Sequence, residues 1–243
     1  MSTRENLKKK EIWIWGLHSV EAALKAKRPV YELLCIPSRA ERFKCFGGRS
    51  CSISHIERVV PRDAVHQGVA LRTNPSPCVI LEDLNPKRGP VLVLDQVVDP
   101  YNVGALWRSA AAFQAQAIIF LTQRSVQPGH LKHEGVVAKA ASGALEQVPY
   151  VSVVNLSRAL EELKRLGFFC VGLCETGELL DPNQIFQGLG VALVVGQEGK
   201  GLRLLTRQQC DILWKLRVCP EFSTLNVSVA GAIALSQLYG VLR

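Results

Sequence analysis

The sequence predicts an α/β protein in which a large, doubly wound parallel sheet follows a smaller α/β domain. Three observations carry that expectation. First, from Val91 onward, wholly apolar runs of strand length such as Val91–Leu94, Ala117–Leu121 and Leu189–Val195 alternate with helical patterns, of which Leu156–Leu166 is the clearest. Second, the clusters Asn74-Pro-Ser-Pro77 and Asn85-Pro-Lys-Arg-Gly-Pro90 forbid a continuous helix or ladder, so the chain divides into residues 1–75, a linker over 76–89 and a second domain over 90–243. Third, charge divides at the same place: residues 1–75 carry 14 Lys+Arg against 7 Asp+Glu, and residues 76–243 carry 15 against 14. A net charge of +8 placed almost wholly in the first third is the pattern of a nucleic-acid-engaging module joined to a near-neutral one.

In chain order, residues 1–10 read as a basic arm. Ile12–Trp15 is a strand, and His18–Leu24 is a helix with Val20, Ala23 and Leu24 inward. Val30–Ile36 is a strand stopped by Pro37, Ser54–Val60 is helical, and His66–Arg72 closes the small domain. The linker has room for one short element around Val79–Leu84. In the large domain, Val91–Leu94 is a strand, Asp99-Pro-Tyr-Asn102 a turn, and Ala105 onward a small-residue helix. Further strands are expected at Ala117–Leu121, Val148–Val154, Phe168–Leu173, Leu189–Val195 and Leu213–Val218, with a last small-residue helix after Asn226.

Composition excludes several classes. At 48% hydrophobic residues the chain has ample core, but no apolar run approaches the ~20 residues of a membrane span, and no apolar segment follows the charged N-terminus as in a secretion signal. A cytosolic protein is expected. The eight cysteines include no C-x-x-C pair, and His130 and His133 have no cysteine nearby, so reduced thiols and no metal are expected. No G-x-G-x-x-G follows the first strand of the large domain, which disfavours a nicotinamide cofactor.

Polar residues gather where strands end, the place at which open α/β sheets bind ligands. Beyond Val91–Asp95, Gly104 permits close backbone approach, Asn102 can cap a helix or touch a ligand, and Arg108 can point back at the crevice. A plain strand-turn-helix, with Asn102 a cap and Arg108 solvated, accounts for this stretch equally well. Two further stretches shift the balance: Val194-Val-Gly-Gln-Glu198-Gly-Lys-Gly201, a strand running into a glycine turn with one carboxylate, and Thr224-Leu-Asn226-Val-Ser228-Val-Ala230, a polar lead into a helix.

Read as D-x-V-x-D-P-x-N-x-G-A-x-x-R-S-A, V-x-G-x-E-G-x-G and L-N-V-S-V-A, these three stretches resemble the motifs of the SpoU/TrmH family of RNA ribose 2'-O-methyltransferases. Trp15–Leu24 and Ala64–Ala70 are similar to the start and end of the ribosomal-protein-like substrate-binding domain of many members, although this chain departs from that domain between Arg39 and Ser54. The resemblance implies a SPOUT-type sheet with a deep trefoil knot, S-adenosyl-L-methionine as cofactor, no metal, and a homodimer whose site uses both subunits. It implies catalytic roles for Arg108, Asn102, Glu198, Asn226 and Ser228, and cofactor contacts at Gly196, Leu216, Leu225 and Thr224. Thr224 stands where many members have serine. The implied substrate is a guanosine ribose of large-subunit rRNA; tRNA, an antibiotic-protection site, or a non-catalytic RNA-binding assembly factor are the alternatives.

Overall fold

The computed structural model describes residues 11–122, 133–219, 221 and 224–241; the basic arm over 1–10 and His130 lie outside these residues. In chain order the elements are β1 (Ile12–Trp15), α1 (Leu17–Lys25), β2 (Glu32–Cys35), α2 (Ala40–Phe43), β3 (Arg49–Ser50), α3 (Ile53–Glu57), β4 (Val69–Thr73), β5 (Val91–Asp95), α4 (Pro100–Ala112), β6 (Ala117–Leu121) and α5 (Glu134–Ala141). There follow β7 (Tyr150–Val153), α6 (Leu156–Arg165), β8 (Phe168–Leu179), α7 (Pro182–Ile185), β9 (Gly190–Gly196), α8 (Leu204–Gln209), β10 (Ile212–Lys215) and α9 (Val227–Val241). No helix of the described residues is long and apolar enough to cross a membrane, and all eight cysteines are free thiols.

The chain forms two compact units, one of residues 1–76 with 128–147, the other of 77–127 with 148–243. In the first unit the sheet order is β1-β4-β2-β3; β4 runs antiparallel to both neighbours and β2 pairs parallel with the two-residue β3. Trp15, Leu34, Ile56, Val60 and Ala70 make its core, with Trp13, Ile36 and Val136 packed against them.

The sequence assigns 134–141 to the large domain, but α5 packs in the first unit, and the reasons are local. A Cβ on Gly135 would lie 1.9 Å from Cζ3 of Trp15, so only glycine lets the helix seat on β1. The fully buried Glu134 accepts hydrogen bonds from the Ser76 amide (2.7 Å) and hydroxyl (2.8 Å). Arg28 reaches Glu134 at 3.2 Å and Glu146 at 2.7 Å and donates to the Asn74 carbonyl. Buried charges persist only when paired and hydrogen-bonded, so this cluster holds the end of α1, residues 74–76 and α5 in one arrangement.

In the second unit six strands pair in parallel, in the order β10-β8-β9-β5-β6-β7. The central strands β5, β6 and β9 are almost wholly apolar because both faces are covered; Val91, Val93, Ile119, Leu163, Cys170 and Val194 belong to one continuous core. Residues 77–89, where the sequence places a linker, lie in this unit: the Val79 amide bonds the Tyr150 carbonyl at 2.9 Å, and Leu81 and Leu84 are buried in the core. Helix α4 is anchored by Trp107, whose indole N–H donates to the Val148 carbonyl at 3.0 Å while its ring packs on Phe120 and Tyr150.

Strand order fixes where a ligand would bind. The chain lays β6 and β7 on one side of β5, crosses to β8, then returns with β9 between β8 and β5. Order therefore reverses at the β5–β9 pair, where Asp95 stands opposite Gly196 at the carboxyl ends. Such a reversal opens a crevice beyond the strand ends.

Candidate active site

Beyond β9 the chain turns in a ring of five residues. The Gln197 amide donates to the Gly201 carbonyl at 3.1 Å, and the Gly201 amide to the Gln197 carbonyl at 2.7 Å. Gly199 (φ 76°) and Gly201 (φ 66°) take left-handed conformations that favour glycine. Gly196 is required for a different reason: a Cβ there would lie 2.2 Å from the Gly201 carbonyl carbon. The ring presents Glu198 outward.

The beginning of α4 differs from the sequence expectation. Asp99-Pro-Tyr-Asn102 is the first turn of the helix, not a separate turn: Pro100 occupies the first helical position, where its missing N–H costs nothing, and the Asp99 carboxylate accepts from the amides of Tyr101 (3.1 Å) and Asn102 (3.3 Å). With Asp99 as the cap, the Asn102 side chain is free for other work. It is 8% exposed, so its amide must find partners. Its Nδ2 donates to Glu198 Oε2 at 3.0 Å, and its Oδ1 accepts from Asn226 Nδ2 at 3.0 Å. Asn226 Oδ1 in turn accepts from the amide (2.8 Å) and hydroxyl (2.6 Å) of Ser228 at the start of α9. Residues from three distant parts of the chain thus form one hydrogen-bonded series, Ser228–Asn226–Asn102–Glu198.

Arg108 lies outside that series. Six residues after Asn102 on α4, its side chain projects roughly 120° away around the helix; it is exposed and makes no hydrogen bond or ion pair with a described residue. It shares its face with Tyr101, which is 68% exposed. Glu198 orients Asn102, not Arg108.

Sequence reasoning assigned no role to Asp95, which is 1% exposed at the end of β5. Its carboxylate accepts from the Arg203 amide (3.0 Å) and Nε (2.6 Å), tying the chain just after the glycine ring to the strand beside it. An acidic residue closing four apolar ones was the available signal; its partner 108 residues away was not visible.

Beside the ring is an open cavity of about 250 Å³. Its wall is the middle of β8 (Leu173–Thr176), residues 195–202, Arg207, the end of β10 with Leu216 and Val218, and Leu225, Val227 and Ala230. Of the residues to which the resemblance gives cofactor contacts, Gly196, Leu216 and Leu225 line this cavity; Thr224 is exposed and is not part of the wall. The sequence reading missed the β8 contribution because Glu175-Thr-Gly177 breaks the apolar pattern, although the strand continues to Leu179. It also missed Trp214 and Arg207. Behind the wall, burial pushes the Cys170 and Cys210 thiols up to about 12, so both stay protonated. Among the described residues no group of three or more His, Cys, Asp or Glu is arranged to hold a metal ion.

The chain is similar to known proteins. The 23S rRNA (guanosine-2'-O-)-methyltransferase RlmB of Pseudomonas syringae pv. tomato is 39% identical over 237 residues, covering 91% of this chain and 92% of that protein. RlmB of Pseudomonas putida is 40% identical over 179 residues, covering 71% and 70%. The SpoU methyltransferase AviRb of Streptomyces viridochromogenes, solved in complex with AdoMet, superposes with a TM-score of 0.80 over 99% of this chain and 93% of that one; at 18% identity the likeness is one of fold. The SpoU rRNA Methylase family matches residues 89–236, a span containing Asn102, Glu198, Asn226 and Ser228, and to that family this chain belongs.

Proposed function

We propose that the protein methylates the 2'-hydroxyl of a guanosine ribose in large-subunit rRNA, with S-adenosyl-L-methionine as donor. The observation that carries this reading is the Ser228–Asn226–Asn102–Glu198 series beside an open cavity at the reversal point of a parallel sheet. Relatives matching nearly the whole chain bear the name of that activity. The cavity suits the cofactor: Leu173, Val195, Trp214 and Leu225 give an apolar wall for a purine, the glycine ring offers close backbone, and Arg207 brings a buried Nε with no partner. When bound, the cofactor supplies an electrophilic methyl on a sulfonium that carries its own leaving group.

The protein's part is then position and electrostatics. Asn102, held between Glu198 and Asn226, has one orientation, and it fixes the ring and the start of α9 against each other. Arg108 grips the substrate phosphate and polarises the 2'-hydroxyl through the N–H donors of its planar fork; the hydroxyl proton is lost late, to water, as the methyl is taken and the neutral thioether departs. Because Arg108 stands exposed outside the series, the reading includes a homodimer in which the second copy completes the site; Tyr101, Val229 and Ile233 are apolar and exposed on α4 and α9 and suit such a contact. A trefoil knot drawing 196–202, 214–218 and 224–226 around one cavity, an RNA-engaging role for the basic first unit, and a cytoplasmic location complete the proposal.

The test is transfer of labelled methyl from S-adenosylmethionine to purified large-subunit rRNA and to bulk tRNA in parallel, followed by mapping of the ribose. Labelling of one rRNA guanosine that disappears with Asn226→Ala is the expected result. Labelling of tRNA alone replaces the substrate, and binding of RNA without transfer to either overturns the enzymatic reading.

A further inference from the structure

The cavity wall carries three cationic side chains, Lys200, Arg207 and Lys215, and they are not equivalent. Lys200 is exposed on the glycine ring, and Lys215 is a half-buried ammonium on a flexible stem. Arg207, on α8, is half-buried, and its side chain forms no hydrogen bond or ion pair with a described residue. Its Nε is buried and unpartnered, and its Nη2 lies 3.7 Å from the position a Cβ on Gly201 would take, so the guanidinium packs where the ring closes. A buried Nε without a partner also occurs on Arg28, Arg39 and Arg72; Arg28 is ion-paired with Glu134 and Glu146 and Arg72 with Glu11 and Glu32, and of the four it is Arg207 that lines the cavity. A buried guanidinium N–H without an acceptor is unfavourable, and an anion entering the cavity would relieve that cost. The planar fork of a guanidinium matches a carboxylate in two parallel bonds, which an ammonium cannot do.

We propose that Arg207 binds the carboxylate of the cofactor's amino-acid half, and so makes the cavity selective for the complete cofactor over its nucleoside portion. The inference rests on the cofactor reading above and deepens it. The adenosyl half would lie along the apolar wall and ring backbone, while the carboxylate extends toward α8. Arg207 thus acts in binding and orientation, and no chemical step depends on it.

Calorimetric titration of the full chain with S-adenosylhomocysteine and with 5'-methylthioadenosine tests this, since both carry a neutral sulfur and differ in the amino-acid half. With Arg207→Ala, loss of charge-assisted bonds is expected to weaken S-adenosylhomocysteine binding about 10- to 100-fold. Binding of 5'-methylthioadenosine should stay within about threefold of wild type, which also shows that the cavity has kept its shape. Arg207→Lys should recover only part of the loss, because charge returns without the fork. Equal weakening of both ligands, no weakening of either, or the selective loss appearing with Lys215→Ala instead would overturn the assignment. Absence of binding by the wild-type protein to either ligand would overturn the cofactor reading itself, and this inference with it.

Discussion

Replacing Gly196 with alanine probes the link between the glycine ring and Glu198 with a single methyl group. Gly196 has no positive φ, so alanine is allowed by its backbone and the effect comes from contact alone. The new Cβ would lie 2.2 Å from the Gly201 carbonyl carbon and 2.4 Å from the Gly201 oxygen and the Leu202 nitrogen. All three are main-chain atoms, and relaxed carbon contacts need ~3.5 Å, so the ring must retreat by roughly 1 Å. Glu198 Oε2 is now 3.0 Å from Asn102 Nδ2, and such a shift carries it to ~4 Å, beyond hydrogen bonding. Overpacking of this kind costs ~1–3 kcal/mol, or about 2–12 °C in the melting of the unit that holds the sheet. Misplacing the series by ~1 Å is expected to lower methyl transfer ~100-fold at saturating substrates. Initial rates with labelled donor, alongside scanning calorimetry, make the measurement. A Gly196→Ala protein that melts within about 1 °C of wild type and works within about threefold of its rate would show that the ring does not set Glu198.

Four further outcomes are expected. Asp95→Asn keeps one acceptor but turns an amide toward the Arg203 donors; because the Arg203 side chain is 42% exposed, the coupling should be about 1–2 kcal/mol in a double-mutant denaturation cycle with Arg203→Ala, and additivity would refute it. Arg108→Lys should lower methyl transfer ~10-fold or more while leaving S-adenosylhomocysteine affinity unchanged; full turnover would remove any dependence on the planar fork. Glu146 is held above the usual carboxylate range by burial, which the nearby Arg28 only partly offsets. Its folded form therefore keeps its proton more readily than its unfolded form: the stability it contributes is present below the unfolded pKa and is lost as pH rises through the folded one. Melting of wild type and Glu146→Gln from pH 4 to 7 should show the comparison moving in favour of Gln as pH rises, and a constant difference would contradict this. Finally, native alkylation at pH 8 should label the exposed Cys45 and Cys219 and spare Cys170 and Cys210, whose thiols are pushed up to about 12; rapid labelling of either would mean the wall opens.

Much of the fold was legible because strands buried on both faces announce themselves as unbroken apolar runs: Val91–Asp95, Ala117–Leu121 and Gly190–Gly196 are strands nearly as the sequence marks them. Local signals that two structures share were read less well. Asp-Pro followed by two polar residues suits both a turn and the first turn of a helix, and only Asp99's bonds to two amides choose the helix. Asn102, Glu198, Asn226 and Ser228 were singled out by their motifs, yet their joining into one hydrogen-bonded series depends on contacts across 96 and 124 residues. The same distance hid Asp95's partner and the contribution of Leu173–Thr176 to the cavity, since nothing within β8 says which strand ends will stand beside it. Helix α5 carries ordinary helical composition; what assigns it to the first unit is a buried carboxylate meeting an arginine 106 residues earlier.

That helix has a consequence for how the protein is made. The first unit is discontinuous in sequence: residues 1–76 supply its sheet, but the carboxylates that neutralise Arg28 and the glycine that lets a helix cover Trp15 come from 128–147. During synthesis, an N-terminal segment that has left the ribosome must therefore wait for roughly a further seventy residues before its last piece is complete, several seconds at ordinary elongation rates. Until then Trp13 and Trp15 lack the helix that packs on them, and Arg28 lacks both its carboxylates. A fragment ending at Ser76 inherits that condition permanently, whereas a chain truncated after Gln147 contains both segments of the unit.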